Sequence, residues 1–353
     1  RKLERLQSLF DDGGFDYAGN AMVDLPLWQK ARQVLLVNPE RGVKEAVERQ
    51  GAITRVFNDR TGHPLRRYLK ALRLHQWVKN LLIFVPLLMA HKFGNLALLG
   101  QAIVAFLAFG VCASSVYLLN DLLDLPDDRK HLLKRRRPFA AGSISIVYGA
   151  LLIPCLLVVA FGLALLLPIE FLGVLAFYYI VTMAYSLRLK RIALVDVLTL
   201  AGLYTTRIIA GAAAISFEPS FWLLAFSMFL FLSLALVKRF TEVLALQQEG
   251  RTNPSGRGYS TIDLETLSQF GSSSAYMAVL VLAFYINSDA VIDLYTHPEV
   301  IWLLCPLLLY MVTRIWLLAR RGEMHEDPVV FIIRDSRSQW LAVIGAVLLW
   351  LAL

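Results

Sequence analysis

The sequence carries a compact acidic cluster directly after a long apolar run. Asp121, Asp124 and Asp128 are spaced i, i+3 and i+7, which places their carboxylates on one face of a helix that Pro126 would bend. Three carboxylates held together repel one another unless a cation lies between them, and Mg²⁺ accepts such oxygen ligands while it keeps sites for phosphate oxygens and water. The spacing predicts a magnesium site for a phosphorylated substrate, which Asn120 would help to orient. A solvated acidic loop end is the alternative.

Basic residues follow the acidic cluster at once, in the stretch RKHLLKRRRP. Alone, this stretch would favour a topology anchor at the membrane surface. Beside carboxylates that hold Mg²⁺, Lys134 and Arg137 become candidates to neutralise the remaining charge of a polyphosphate. Charged and polar groups return near the ends of later apolar runs. The further candidate substrate-binding residues there are Tyr185, Lys190, Lys238, Arg239 and Glu242.

Two more polar groups occupy positions suited to phosphate binding. Arg73, Gln76, Lys79 and Asn80 are spaced i, i+3, i+6 and i+7, roughly one helical face at the start of the first apolar run. A snorkelling membrane anchor explains them nearly as well. Arg207 lies within an apolar run, where a buried Arg is costly and usually faces a cavity or a partner. We expect Arg207 to bind substrate, with a structural ion pair as the alternative.

The composition indicates that a membrane protein positions these residues. Of 353 residues, 57% are hydrophobic and only 18% are charged, whereas a soluble chain has about a quarter charged. Apolar runs of about 20 residues predict an all-α polytopic protein with about nine spanning helices around a central cavity that faces the cytoplasm. The predicted spans are roughly 72–90, 97–119, 145–167, 170–187, 193–215, 220–237, 270–287, 299–319 and 338–353.

The charges of the loops predict the orientation. The loops 121–144, 188–192, 238–269 and 320–337 hold 17 Lys and Arg residues, whereas the opposite loops hold only Lys92. This asymmetry places the N-terminus and the charged loops in the cytoplasm. We expect the membrane to be a bacterial inner membrane. It also explains the net charge of +8 without a nucleic-acid partner. The three cysteines lie within apolar runs, with no spacing typical of a zinc site or a disulfide framework.

Residues 1–62 differ from the rest of the chain. They have mixed charge, glycine-rich turns and alternating segments such as QVLLVN and GAITRVF, which predict a small soluble α/β segment. About 60 residues make a poor independent core, so we expect this segment to depend on further sequence or on the membrane part.

The acidic and basic stretches together resemble a known motif. NDLLDLPDDRKH, followed by KRRRPFAAGSIS, is similar to the first Asp-rich motif of the UbiA-type intramembrane transferases, and the resemblance covers about residues 65–353. It implies their helical membrane fold and the use of Mg²⁺. The aromatic prenyltransferases of that superfamily usually carry a second DxxxD motif after the sixth span. Here Glu242 and Leu246 stand in its place, so the second acid is missing.

Four other segments resemble one branch of the superfamily more closely. LRLHQWVKNLLIFVPL, LALVKRFTEV, GRGYS and EDPVVFIIRD look like the decaprenyl-phosphate phosphoribosyltransferases. This resemblance implies transfer of the 5-phosphoribosyl group of phosphoribosyl pyrophosphate to a polyprenyl phosphate, within the lipid membrane. Transfer of a prenyl group from its diphosphate to an aromatic or other acceptor is the runner-up. An ion or solute transporter is a third reading, but nearly all the charges lie at one end of the spans, which argues against it.

The N-terminal segment has a resemblance of its own. Residues 15–57 look like the last part of a haloacid-dehalogenase-type phosphatase around its second acidic motif, with Gly19, Asn20 and Asp24. The nucleophilic aspartate of such an enzyme would come from an earlier strand, before Arg1. We therefore expect an inactive part of a phosphatase domain, fused to the transferase.

Overall fold

The first of two compact units, Arg1–Tyr68, contains a small parallel sheet. The computed structural model describes residues 2–10, 14–49, 51, 53–58, 64–130, 134–250, 258–288, 291, 295–324 and 327–353. The sheet order is β1-β2-β3, which agrees with the predicted α/β segment. Trp28, Val34 and Leu36 lie in its small core. The elements are α1 Lys2–Leu9, β1 Asp16–Gly19, α2 Leu25–Trp28, β2 Gln33–Val37, α3 Val43–Glu48, β3 Ile53–Phe57 and, at the junction, α4 Pro64–Ala71.

The second unit, Leu69–Leu353, is a helical bundle. It begins with a 3-10 helix, Leu74–Phe84, and continues with α-helices. In chain order these are α5 Val85–Met89, α6 Leu96–Leu123, α7 Leu125–Lys130, α8 Ile146–Ala164, α9 Ile169–Leu187, α10 Val195–Ala214, α11 Phe221–Gln248, α12 Leu264–Ile286, α13 Pro298–Ile301, α14 Leu304–Arg320, α15 Pro328–Arg334 and α16 Ser336–Ala352.

The length and composition of the helices confirm the predicted helical membrane protein. Within the described ranges, seven helical segments are long and apolar enough to cross a membrane. Two shorter apolar segments, Leu74–Met89 and Ser336–Ala352, coincide with the first and the last of the nine predicted spans.

Helix α10 lies at the centre of the bundle. Of its apolar window 67% is buried, against 11% for α8, and it packs against α9, α11 and the 3-10 helix. Gly211 allows a close approach to the 3-10 helix, because a Cβ atom there would lie 2.0 Å from the carbonyl oxygen of Ile83. This contact brings the polar side chains of the 3-10 helix next to those of α10.

Two breaks in the helices correct the predicted geometry. Helix α6 ends at Leu123, Asp124 follows as its C-cap, and α7 begins at Leu125, so the three aspartates do not share one continuous helix. Pro126 explains the break, since its ring would clash with a carbonyl four residues earlier in an unbroken helix. The face predicted for residues 73–80 is likewise not α-helical. Arg73 has a left-handed backbone with φ of 51°, and a 3-10 helix follows it.

Candidate functional site

The two buried carboxylates of the Asp-rich motif meet at one guanidinium group. Arg137 Nη1 donates to Asp121 Oδ1 at 3.2 Å and to Asp128 Oδ2 at 2.6 Å. Arg73 Nη2 donates to the same oxygen of Asp121 at 2.5 Å. The Asp121 and Asp128 side chains are only 3% and 4% exposed, so each depends on a positive partner. A cationic nitrogen therefore lies between these two carboxylates.

The third carboxylate of the motif lies apart from the other two. Asp124 is 42% exposed and accepts a hydrogen bond from Lys190 Nζ at 3.3 Å. In the part of the chain that the structure describes, no group of three His, Cys, Asp or Glu side chains is close enough to hold a metal ion. The predicted three-aspartate metal site is thus not assembled in this arrangement.

The donor chemistry nevertheless suits Mg²⁺. Asp121 and Asp128 present buried carboxylate oxygens on either side of one cationic nitrogen, and hard oxygen ligands are those that Mg²⁺ prefers. Asn120 Oδ1 beside them is buried and has no hydrogen-bond partner among the described residues. These residues fit the ion once Arg137 leaves the position between the carboxylates.

A basic cleft of about 340 Å³ opens above Asp121. Four cationic side chains and one imidazole surround a single carboxylate there, which suits a ligand with several negative charges. The cleft is lined by Lys70, Arg73, His75, Asp121, Arg136, Arg137 and Pro138. Lys134, predicted to bind phosphate, is exposed on a short 3-10 helix and is not among the lining residues.

A second, smaller cavity of about 120 Å³ contains Arg207. Arg207 is 5% exposed and donates to Asn80 Oδ1 at 2.9 Å, to the Leu203 carbonyl at 2.5 Å and to Tyr178 OH at 3.0 Å. No carboxylate in the described ranges pairs with it. Lys79 Nζ and Arg207 Cζ lie 5.6 Å and 5.5 Å from the centre of the Tyr204 ring. Two cations therefore face the same small cavity, a cost that an anionic ligand would offset.

The cleft and the cavity are neighbours. Arg73 Cζ, which lines the cleft, lies 5.5 Å from the centre of the Tyr117 ring, and Tyr117 also lines the cavity. Asn120 lines the cavity as well, while Asp121 lines the cleft. Ligands in the two spaces would therefore meet near the end of α6.

A carboxylate that the sequence did not assign joins this site. Asp327 Oδ2 accepts hydrogen bonds from Lys79 Nζ at 2.8 Å and from Lys238 Nζ at 3.1 Å. Its other oxygen, Oδ1, caps α15 through the Val329 N–H at 3.1 Å. Asp directly before Pro at the start of an apolar run is a recognisable helix N-cap signal. That signal could have found the cap, although it contains nothing about the two lysines.

Arg239 belongs to a separate network of charged and polar side chains. It is 1% exposed, donates to Asp196 and Glu242, and reaches Tyr185 OH at 3.1 Å. Tyr259 OH in turn donates to Asp196 Oδ1 at 2.5 Å. The network ties the ends of α9, α10 and α11 together.

The remaining predicted residues divide between the two spaces and the bundle interior. Tyr185 lines the small cavity, whereas Arg239 and Glu242 line neither space. Gln76 is half-buried and makes no side-chain hydrogen bond to the described residues. The side chains of residues 73–80 therefore do not form one phosphate-facing edge. Arg73 binds Asp121, Lys79 binds Asp327 and Asn80 binds Arg207.

Comparison with protein families defines the class of this chain. Residues 81–334 match the UbiA prenyltransferase family, and that match spans more than half of the sequence. The chain belongs to this family of intramembrane transferases, as the Asp-rich motif predicted.

Several relatives share most of the chain. The uncharacterized protein y4nM of Sinorhizobium fredii is 38% identical over 98% of this chain and 67% of its own length. The nodulation protein NoeC of Azorhizobium caulinodans is 33% identical over 78% of this chain and 89% of its own length. The decaprenyl-phosphate phosphoribosyltransferase of Mycolicibacterium smegmatis is 28% identical over 79% of this chain and 91% of its own length.

A solved structure confirms the fold. The UbiA homolog from Archaeoglobus fulgidus, bound to GPP and Mg²⁺, superposes with a TM-score of 0.62. It is 17% identical in sequence, and the match covers 80% of this chain and 96% of that one. At this identity the likeness establishes the architecture and leaves the substrates to the chemistry of the site.

Proposed function

We propose that the protein is a Mg²⁺-dependent transferase that moves the 5-phosphoribosyl group of phosphoribosyl pyrophosphate onto a polyprenyl phosphate. The observation that carries the proposal is the pair of adjacent cation-lined spaces at the end of α6. One is large enough for a polyphosphate donor, and the other suits the anionic head of an acceptor. Both would open to the cytoplasmic side of a bacterial inner membrane, an orientation that the charges of the loops support.

The donor pyrophosphate would occupy the basic cleft. Mg²⁺ bound by Asp121 and Asp128, with Asp124 as a further acid, would stabilise the negative charge that develops on the leaving pyrophosphate. Arg73 and Arg137 now bind these carboxylates, and they are placed to turn towards phosphate oxygens in the same cleft. Lys190, which pairs with Asp124, adds a cation at the edge of the acidic cluster.

The acceptor phosphate would occupy the small cavity. Arg207 supplies a fixed guanidinium there, and Lys79 supplies a second positive charge. The two positive charges in its lining favour an anionic head group over a neutral aromatic ring. The apolar lipid tail would then extend between helices into the surrounding membrane.

The reaction needs little proton transfer. An oxygen of the acceptor phosphate attacks the anomeric carbon of the ribose, and the bond from that carbon to the pyrophosphate oxygen breaks. The electron pair leaves with the pyrophosphate. Because the acceptor phosphate is already anionic at neutral pH, the protein must hold two anions close together and stabilise the leaving charge.

The relatives support this choice and also show its limit. The phosphoribosyltransferase from Mycolicibacterium smegmatis shares 28% identity, while NoeC, at 33%, carries a name that specifies no reaction. Prenyl transfer from a diphosphate is therefore the competing reaction, and the Archaeoglobus fulgidus homolog bound to GPP and Mg²⁺ is the observation in its favour.

One assay separates the two reactions. Purified protein receives Mg²⁺ and phosphoribosyl pyrophosphate labelled in its ribose, together with a polyprenyl phosphate. We expect label to appear in the lipid fraction and to disappear when Mg²⁺ is chelated. A parallel reaction contains a polyprenyl diphosphate and an aromatic acceptor. If product forms only in that parallel reaction, the proposed activity is prenyl transfer and not phosphoribosyl transfer.

A further inference from the structure

Lys79, Lys238 and Asp327 form a charged group beside the small cavity. Asp327 is only 14% exposed and the two lysine side chains are 11% and 33% exposed, so solvent screens these charges weakly. Their hydrogen bonds to Asp327 Oδ2, at 2.8 Å and 3.1 Å, hold both ammonium groups around one carboxylate oxygen. Lys79 in turn lines the cavity that contains Arg207.

Asp327 carries its negative charge at neutral pH. Burial opposes ionisation, but the charges of Lys238 and Lys79 outweigh it and hold the pKa of Asp327 well below its usual range. Two lysines and one aspartate then carry a net charge of +1, and Arg207 adds a second positive charge. A phosphate monoester carries about −1.5 to −2 at pH 7, which this total matches.

We propose that Asp327 is a specificity-determining residue that makes the acceptor site select a lipid monophosphate over a lipid diphosphate. The inference rests on the proposed acceptor site and adds the charge class of its ligand. A second phosphoryl group adds negative charge to the lipid head. Asp327 would repel this extra charge and, by engaging both lysines, would leave fewer ammonium hydrogens for it.

The substitution Asp327→Asn tests this role because it removes the charge and keeps a side chain that can cap α15. Asn and Asp are about equally good N-cap residues, so the cap of α15 should persist. Removing one buried negative charge should favour the more highly charged ligand. Asp327→Glu keeps the charge and should keep the selectivity, which separates an effect of charge from an effect of shape.

Asp335→Asn is the matched control. Asp335 also caps a helix, α16, and also pairs with a basic residue, Arg314, at 2.6 Å and 2.9 Å. Neither residue of this pair lines the cleft or the small cavity. A general effect of losing an Asp–base pair at a helix start would therefore appear in both variants, whereas selectivity should change in only one.

The measurement is the ratio of dissociation constants for geranylgeranyl phosphate and geranylgeranyl diphosphate, with the full chain in detergent. Chelator removes Mg²⁺, which the proposed donor site needs in order to hold a diphosphate in the basic cleft. We expect the wild-type protein and the Asp327→Glu and Asp335→Asn variants to prefer the monophosphate. In Asp327→Asn the preference should fall on the order of tenfold.

The possible results separate the inference from the proposed function. An unchanged ratio in Asp327→Asn, or an equal change in Asp335→Asn, rejects the role of Asp327 while leaving the transferase assay unaffected. Absence of binding by the wild-type protein to both lipids rejects the acceptor site and the inference with it. A wild-type preference for the diphosphate likewise overturns the selectivity proposed here.

Discussion

Arg137 occupies the position that a metal ion would need, and its removal should strengthen the response to Mg²⁺. In Arg137→Gln the buried carboxylates of Asp121 and Asp128 lose the nitrogen that they share. Breaking a fully buried ion pair from one side costs about 3–5 kcal/mol. Arg137 is 29% exposed and Arg73 still contacts Asp121, so we expect a smaller loss, about 1–3 kcal/mol.

Mg²⁺ should recover this loss, since it can now bind between the carboxylates without displacing a guanidinium. A ligand at 100 times its dissociation constant stabilises the folded state by about 2.7 kcal/mol. The assay is thermal unfolding in detergent, with chelator and with millimolar Mg²⁺. We expect the variant to unfold at a lower temperature than the wild type in chelator and to gain more on addition of Mg²⁺.

Arg136→Gln is the matched control for this experiment. Arg136 lines the same cleft, but it is exposed and has no ion pair within the described ranges. The Arg136→Gln variant should therefore have an unfolding temperature in chelator and a response to Mg²⁺ that are both close to those of the wild type. If Arg137→Gln and the wild type gain equally from Mg²⁺, then the ion does not bind between Asp121 and Asp128, and the reasoning fails.

Three further outcomes follow from the site. Asp121→Asn should reduce phosphoribosyl transfer at least about 100-fold with membrane insertion intact, whereas Asp127→Asn, an exposed neighbour, should stay active; equal activities would reject the metal assignment. Arg207→Lys should lower kcat/KM for the acceptor about 10- to 100-fold and leave the donor KM unchanged, because a guanidinium held by three hydrogen bonds becomes a flexible ammonium. A change in the donor KM alone would show that Arg207 does not belong to the acceptor site. The hydrogen bonds from Arg314 hold the pKa of Asp335 well below its ordinary 3.8. Their contribution to stability is therefore present above about pH 4 and is lost as the pH falls through the lowered pKa. Unfolding monitored by tryptophan fluorescence should show that the difference in stability between wild type and Asp335→Asn becomes smaller in acid.

Hydropathy and charge were sufficient to predict the helical membrane fold, because an apolar run must satisfy its own backbone in lipid. The Asp-rich motif likewise led to Asp121 and Asp128, whose burial and shared guanidinium the structure adds. Local spacing misled where one residue changes the backbone. Pro126, where the sequence predicted a bend, separates α6 from α7, and the left-handed Arg73 precedes a 3-10 helix. Side chains expected on one face therefore have different partners.

The long-range pairs could not be obtained from the sequence. Lys79 and Asp327 are 248 positions apart, and Asn80 and Arg207 are 127 positions apart. Their meeting depends on how closely the helices pack, as at Gly211, where a side chain would collide with Ile83. A single sequence records the charges but not which lysine will lie beside which aspartate.

The 3-10 helix Leu74–Phe84 also determines how far a short apolar segment can reach. A 3-10 helix rises about 2.0 Å per residue, against 1.5 Å for an α-helix. The 16 residues of Leu74–Met89 therefore extend about 30 Å, the thickness of a bilayer hydrocarbon core, whereas the same residues in α-helical form would stop about 6 Å short. The greater rise per residue thus compensates for a segment that has few residues. The depth of Lys79 and Asn80 in the membrane then depends on the thickness of the bilayer.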